Sequence, residues 1–395
     1  MDHTFPKIII HKGKEHSLNR FHPWVFSGAI NKIEGNLEEG CIAEVYSSDK
    51  KFLGMGHYQP GSIAVRIFSF EKITPDVEFW KSKLQEALNF RTNIGLHNNK
   101  STNVYRMTFA EGDMLPSLII DYYNQTAVIQ AYSAGMFYHL EDITTALKLV
   151  YGKQLKAVYN KSKDTLPKKF IGEAQDGYLF GSLNENVVLE NGNKFLIDWE
   201  KGQKSGFFID QRENRQLLAQ YSKGKKVLNT FCYTGGFSVY ALNAGAEFVH
   251  SVDISKPAIE ITNKNVELNG KSSNHESFAV DVFDYLKDIN DKYDIIVLDP
   301  PAFAKSRNVS HNAVQGYKRI NMEALKRIKK GGLLFTFSCS QVINRTLFNN
   351  TVIAAAIEAK RNVRIMHQLS QAADHPVNIF HPEGEYLKGL VLYVE

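Results

Sequence analysis

Long apolar runs are missing from this chain. No uninterrupted stretch approaches the roughly 20 residues that a membrane-spanning helix needs. The first ten residues hold only Ile8-Ile9-Ile10 as an apolar core, too short for a secretory leader. Cysteine is scarce as well: Cys41, Cys232 and Cys339 are the three in 395 residues, which makes neither a disulfide framework nor a zinc site. Neither sign of charge dominates, since 47 Lys and Arg against 42 Asp and Glu leave a net +5. That balance permits a polyanionic partner without requiring one. The expectation is a protein of the reducing cytoplasm with no membrane and no metal, and a homodimer stays open. A hydrophobic content of 43% with 23% charged residues is that of an ordinary globular protein, and the length suffices for two or three domains.

Two phosphate-binding signatures are also lacking where they would be expected. The glycine turn at 235–236 is not Gly-x-Gly-x-x-Gly, as a nicotinamide fold would show, and no Walker-type lysine accompanies it. What stands there is an ordered series across residues 226–301. Val227-Leu228-Asn229-Thr230 breaks, after Phe231-Cys232-Tyr233-Thr234, into Gly235-Gly236. Phe237, Val239, Tyr240 and Leu242 then recur at helical spacing until Gly245. Strand, glycine turn and helix open an α/β unit whose turn lets a ligand approach the backbone closely. A second apolar run, Phe248-Val249-His250-Ser251-Val252, ends on Asp253-Ile254, with Ser255 as the next helix cap and Pro257 in its first turn. Asp281-Val282 follows a third run, and residues 293–298 form a fourth that ends in Asp299-Pro300-Pro301. Acids at strand ends suit ribose hydroxyls and an amine. A cofactor without phosphates fits this crevice, and S-adenosylmethionine is such a cofactor.

Asp299-Pro300-Pro301 after the fourth strand resembles motif IV of class I S-adenosylmethionine-dependent methyltransferases. Residues 202–389 as a whole resemble the large-subunit ribosomal-RNA methyltransferases that make 5-methylcytosine. The resemblance implies an α/β, Rossmann-like class I methyltransferase domain over 201–395. Ahead of it are expected a small β-barrel PUA domain (1–73), a small α+β domain (74–186) and a β-hairpin linker (187–200). It further implies that Phe208, Gln211 and Arg212, in the block Gly206-Phe207-Phe208-Ile209-Asp210-Gln211-Arg212, cover the cofactor. Asn229, Phe231, Cys232, Tyr233 and Gly235 are expected at the methionine end, Asp253 and Ile254 at the ribose, Asp281 and Val282 at the adenine, and Asp299 and Pro300 beside them. Asp210 reads as the cap of the next helix, whose Leu217, Leu218 and Tyr221 would face a sheet.

Residues 7–10, 40–46, 52–58 and 62–68 read as strands of the N-terminal domain. Between the first two lies Leu18-Asn19-Arg20-Phe21-His22-Pro23-Trp24-Val25-Phe26-Ser27-Gly28. Residue by residue, this predicts a short helix packing Trp24 and Phe26 into a small core. As a block it resembles the PUA RNA-binding domain, which implies RNA contacts by Arg20, His22 and Trp24, joined by Lys305 of the catalytic domain. Thr74-Pro75 reads as a hinge, 77–94 and 137–151 as helices, and 104–110, 117–133 (a hairpin) and 155–160 as strands. Lys153, Lys156, Lys161, Lys163, Lys168 and Lys169 form either a solvated face or a phosphate contact. Asn191-Gly192-Asn193 turns a hairpin across 187–199.

The fifth strand, 333–337, delivers Ser338-Cys339-Ser340 to the carboxyl end of the sheet, where open α/β folds hold their ligands. Cys339 and Asp299 should therefore project into one crevice. The resemblance gives the thiol a purpose. C5 of cytosine is a poor nucleophile, and a thiolate adding to C6 makes C5 an enamine-like carbon able to take a methyl group. A base then removes the C5 proton and the thiol is eliminated. A cationic neighbourhood would hold Cys339 as thiolate, and Asp299 is placed for N3 and the exocyclic amine. Cys232 reads as a pocket-lining residue. Methylation of an exocyclic amine would favour an aromatic directly after Asp-Pro-Pro, where Ala302 stands with Phe303 next. The related guanine-methylating branch, which the resemblance says lacks this cysteine, is one alternative; a non-catalytic RNA-binding or assembly factor is another. His375 and His381, each followed by a proline (Pro376 and Pro382), read as a substrate loop and not as metal ligands.

Overall fold

The computed structural model describes residues 5–167, 174–182, 186–303 and 310–395. Lys168, Lys169 and Lys305 lie outside the described residues. The chain divides into two compact units, of which the first gathers Met1–Val188, Ile197–Phe207 and Ala373–Gly384.

Alternating apolar residues build its N-terminal sheet from β1 (Lys7–Ile10), β2 (Trp24–Phe26), β3 (Ile30–Glu34), β4 (Ile42–Tyr46), β5 (Phe52–Tyr58) and β6 (Ile63–Ser69). The strand order is β2-β6-β5-β4-β1-β3, around a core of Ile8, Ile10, Val25, Val45, Val65 and Ile67. The short helix expected to carry Trp24 and Phe26 is instead strand β2, antiparallel to β6 with Trp24 opposite Arg66. Phe21, at φ 61°, ends a single 3-10 turn over Leu18–Arg20. Pro23 then disfavours helical backbone at His22, and Trp-Val-Phe prefers a pleated strand. Phe26 is left 46% exposed.

Next come α1 (Val77–Asn93), β7 (Val104–Phe109), β8 (Leu118–Tyr123), β9 (Thr126–Ala131), α2 (Ala134–Tyr138), α3 (Leu140–Tyr151), β10 (Ala157–Asn160) and β11 (Gly177–Phe180). Asp76 starts α1 by accepting the Phe79 N–H at 3.0 Å. The helix read over 137–151 begins earlier and breaks at His139, which caps both pieces. The strands form a sheet of order β11-β10-β9-β8-β7. Met55 and Phe68 share one core with Trp80, Leu84, Ile120, Met136 and Leu147. Thr74-Pro75 therefore joins two segments packed on a common core and is not a hinge. Arg91, fully buried, grips the Asp113 carboxylate and donates to the carbonyls of Arg106 (2.7 Å) and Asp374 (2.8 Å).

The second unit gathers Leu189–Leu196, Phe208–Ala372 and Glu385–Glu395. The hairpin of β12 (Val187–Glu190) and β13 (Asn193–Leu196) turns on Asn191 and Gly192, at φ 49° and 81°, the pair a primed turn demands. Then follow α4 (Arg212–Ser222), β14 (Lys226–Thr230), α5 (Gly236–Asn243), β15 (Phe248–Asp253), α6 (Lys256–Leu268), β16 (His275–Ala279) and α7 (Val282–Leu286). The remainder is β17 (Ile295–Leu298), α8 (Ser310–Arg327), β18 (Gly332–Ser338), α9 (Arg345–Ala359), β19 (Val363–Leu369) and β20 (Lys388–Val394). These strands make a seven-stranded sheet of order β16-β15-β14-β17-β18-β20-β19. The first five run parallel, and β20 is antiparallel to both neighbours. Leu228, Ile296, Leu298 and Leu334 of the sheet bury against Ile320, Leu325 and Phe348 of α8 and α9. The order reverses at β14, so the carboxyl ends of β14, β15 and β17 open a crevice.

Asp210 does not cap α4 with its side chain. A 3-10 turn over Ile209–Gln211 precedes the helix, and the Asp210 carboxylate accepts the Tyr386 hydroxyl at 2.5 Å. Arg215 of α4 forms a buried two-point pair with Glu190 (2.8 and 2.7 Å) and donates to the Phe208 carbonyl (2.9 Å). No helix among the described residues is long and apolar enough to cross a membrane.

Candidate active site

The turn after β14 is unusually constrained. Phe231 and Tyr233 hold φ of 54° and 46°, and Gly235 sits at 76°. Left-handed backbone at two aromatic residues is costly and persists only where the surroundings enforce it. Asp253 supplies that enforcement: Oδ2 accepts the Tyr233 N–H at 3.0 Å and Oδ1 the Ser255 N–H at 2.9 Å. Thr262 adds a bond to the Tyr233 carbonyl at 2.8 Å. At Gly235 an added Cβ would stand 2.8 Å from Thr262 Cγ2, so α6 can approach the turn only over a glycine.

Phe208 packs edge-on to Tyr233, with ring centroids 5.1 Å apart, which puts the Phe-Phe block beside the turn. Gln211 and Arg212 are buried behind it, and Gln211 Oε1 accepts from Asn214 at 2.6 Å. Asn229 is also buried; its amide donates to Ser238 at 2.8 Å, in a chain that continues through Ser251 to His275. Burial pushes the Cys232 thiol up to about 12, with Thr262 Oγ1 at 3.6 Å from its sulfur. It is a neutral thiol near pH 7.

Ile254, beside Asp253, is 71% exposed. Asp281 starts α7, and Oδ1 accepts the N–H groups of Phe283 (2.7 Å) and Asp284 (3.3 Å). Val282 is buried in the core. Carboxylates at the ends of β15, β16 and β17 give the crevice acceptors for hydroxyl and amine donors, and each oxygen has lone pairs beyond those the backbone uses. Such an acceptor set fits a cofactor that presents ribose hydroxyls and an adenine amine and carries no phosphate.

Asp299 is half-buried directly after β17, with Pro300 buried behind it. Cys339 is half-buried directly after β18, and its Sγ lies 4.0 Å from the Pro300 carbonyl. Parallel pairing of Leu298 with Thr336 brings the two strand ends together. Tyr317 of α8 senses both: burial pushes its pKa up to about 12, and the charges of Cys339 and Asp299 act in the same direction. Phe303 packs on Tyr317, with centroids 4.7 Å apart. The sequence reading passed over Lys388, which is buried and donates to the carbonyls of Ser340 (2.7 Å) and Tyr386 (2.6 Å). Its signal was available, a lysine heading an otherwise apolar strand.

Within the first unit, Arg20 is exposed on its 3-10 turn. Trp24 is engaged internally: Nε1 donates to Glu111 at 2.9 Å and the ring meets His381 edge-on at 4.3 Å. The exposed aromatics there are Phe21 and Phe26, 50% and 46% exposed. His22, His381 and Glu383 bring possible metal-ligating atoms within 4.8 Å of one another. His22 Nδ1 accepts the Trp24 N–H at 3.2 Å, which leaves the proton on Nε2, facing Glu383 at 3.5 Å. That tautomer suits a hydrogen-bonded pair. Lys161 is not part of a solvated basic face, since its ammonium donates to the carbonyls of Trp199, Glu200 and Gly202.

Comparisons with known families bear on the fold and the cofactor. Residues 8–70 match the PUA-like domain family and residues 131–376 the S-adenosylmethionine-dependent methyltransferase family. The Ribosomal RNA large subunit methyltransferase I of Aeromonas hydrophila is 42% identical, covering 98% of each chain. The protein of the same name from Klebsiella pneumoniae is 38% identical over 100% of this chain and 99% of its own. Among solved structures, a methyltransferase complexed with SAH superimposes with a TM-score of 0.84 at 24% identity, covering 98% of this chain and 99% of that one. The chain thus belongs to the S-adenosylmethionine-dependent methyltransferase family, carries a PUA-like domain, and takes S-adenosylmethionine as its cofactor.

Proposed function

We propose that this protein methylates C5 of a cytosine in large-subunit ribosomal RNA through a covalent bond between Cys339 and C6. The observation that carries the reading is the placement of Cys339 Sγ 4.0 Å from the Pro300 carbonyl, next to Asp299 at the adjacent strand end. The names of the full-length relatives support ribosomal RNA as the substrate. When bound, S-adenosylmethionine supplies an electrophilic methyl group. The chain's own residues do the rest. Asp253 receives the ribose hydroxyls, Asp281 the adenine amine, and the turn at 231–235 the methionine end. Asp299 holds N3 and the exocyclic amine of the target base. Cys339, as thiolate, adds to C6 and places the electron pair on C5.

To reach Sγ the base must leave its stack, at a cost of a few kcal/mol, so an unpaired cytosine is the expected target. Amine methylation would use an aromatic directly after Asp-Pro-Pro to stack the base; Ala302 stands at that position, and Phe303 beside it packs on Tyr317. The test is RNA carrying 5-fluorocytosine at the target. Fluorine cannot leave as a proton does, so the wild-type protein should stay covalently attached on a denaturing gel, and Cys339→Ser should not. Mass spectrometry of the methylated nucleoside on natural RNA completes it. A guanine product, or full turnover by Cys339→Ser, would overturn the reading.

A further inference from the structure

Cys339 needs to ionise near neutral pH, and its second-unit neighbours include one cation in an uncommon setting. Lys388 is the first residue of β20, directly opposite Ser338 in the antiparallel pairing with β18. It is 3% exposed. Its Nζ donates to the carbonyl of Ser340, the residue after Cys339, at 2.7 Å, and to that of Tyr386 at 2.6 Å. No described residue takes a third hydrogen from it. An ammonium out of water is expensive unless an anion faces it. The nearby carboxylate of Glu385 is already paired, with Arg345 at 2.9 Å.

We propose that Lys388 is the positioning residue that sets the ionisation of Cys339: its ammonium, held by the Ser340 and Tyr386 carbonyls, stabilises the thiolate. The step balances: the S–H bond breaks, sulfur keeps the electron pair, and the proton passes to water. As ammonium, Lys388 fills both carbonyls with two hydrogens and keeps a third. The thiolate forms without taking a donor from Ser340 or Tyr386, so the strand ends need not rearrange.

The electrostatics agree. Burial draws Lys388 down to about 8, while Cys339 and then Glu385 act to raise it and Arg345 to lower it. Tyr317, which the charge of Cys339 also reaches, stays neutral. At about 8 the amine is mostly ammonium near pH 7, and a positive charge close by lowers a thiol from its ordinary value of about 8.5. The inference rests on the proposed function for its purpose, but its test does not require RNA.

That test is the pH profile of Cys339 alkylation by iodoacetamide, read on the Cys339 peptide by mass spectrometry. In the wild-type protein the midpoint should lie below that of an ordinary thiol. Lys388→Met should raise it by about one unit or more, slowing alkylation at pH 7 about tenfold, and Lys388→Arg should restore part of the shift. A purely structural role would scale the rate equally at every pH and leave the midpoint in place. Cofactor binding by calorimetry confirms that each variant is folded. A wild-type midpoint at the ordinary value, or superimposable wild-type and Lys388→Met profiles, would overturn the proposal. The wild-type arm decides even where a variant fails to fold. Covalent trapping with an unshifted Lys388→Met profile sinks this inference alone; a shifted profile without trapping sinks the C5 reading alone.

Discussion

Placement separates the two cysteines of the second unit. Cys232 lies beneath the cofactor turn, where burial holds it as a thiol, and Cys339 stands half-exposed at a strand end beside Asp299. Cys232→Ala should keep turnover and lower stability by only about 1 kcal/mol, the scale of a small lost side chain in a core. Loss of turnover in that variant, with the fold intact by calorimetry, would make Cys232 a participant. Asp253 ties down Tyr233 and Ser255, and in the proposed function it also receives the ribose. A bond to a charged acceptor is worth roughly 1.5–3 kcal/mol, so Asp253→Ala should weaken S-adenosylmethionine binding at least about tenfold. Unchanged affinity by titration calorimetry would remove Asp253 from the site. The positions of the acids and of Cys339 were legible because strand ends can be read from apolar runs, and Lys388 could have been read the same way. The cap at Asp281 and the Asn229–Ser238 bond were not, because they depend on rotamers and on neighbours brought together by the fold.

Elements carry the pH dependence. His250 of β15 and His275 of β16 are both drawn down to about 4, chiefly by burial, with Lys292 adding to the effect at His250 and His250 adding to it at His275. The hydroxyls of Tyr285 (3.0 Å) and Tyr293 (2.8 Å) meet His250 Nδ1, Glu276 stands 3.5 Å from its Nε2, and His275 bonds Ser251 at 2.7 Å. In the unfolded chain both would titrate near 6.5. Between that value and about 4 the unfolded state binds more protons, so stability falls as pH falls through this window. Scanning calorimetry should show a transition that moves to lower temperature from pH 7 to pH 5, less so in His275→Gln. Imidazoles titrating near 6.5 by NMR would remove the cause. The buried Arg215–Glu190 pair should matter at any pH. Arg215→Met leaves a carboxylate stranded, at about 3–5 kcal/mol, and Glu190→Gln in the same chain should recover part of that loss. Neither pairing could be foreseen, although both hairpin and helix were legible from periodicity.

At the scale of the whole molecule, RNA binding should weaken steeply with salt, because phosphate contacts release counterions. Deleting the residues before Thr74 would not isolate the reader, since Met55 and Phe68 belong to a core shared with Trp80. Replacing exposed Phe21 and Phe26 with serine leaves that core alone. Base stacking on an aromatic is worth roughly 1–3 kcal/mol, so RNA affinity should fall while cofactor affinity stays put. Equal RNA affinity in filter binding would place the reading surface elsewhere.

The first unit takes its last piece from residues 373–384, and this imposes a timetable on synthesis. Arg106 offers its backbone N–H to Asp374 across 268 residues, and Arg91 reaches the Asp374 carbonyl across 283. At about 5–20 residues per second a ribosome needs roughly 15–60 s to cover that span. For that time a nascent chain holds a nearly finished unit with two donors still waiting, and a message truncated before codon 374 would leave them so for good.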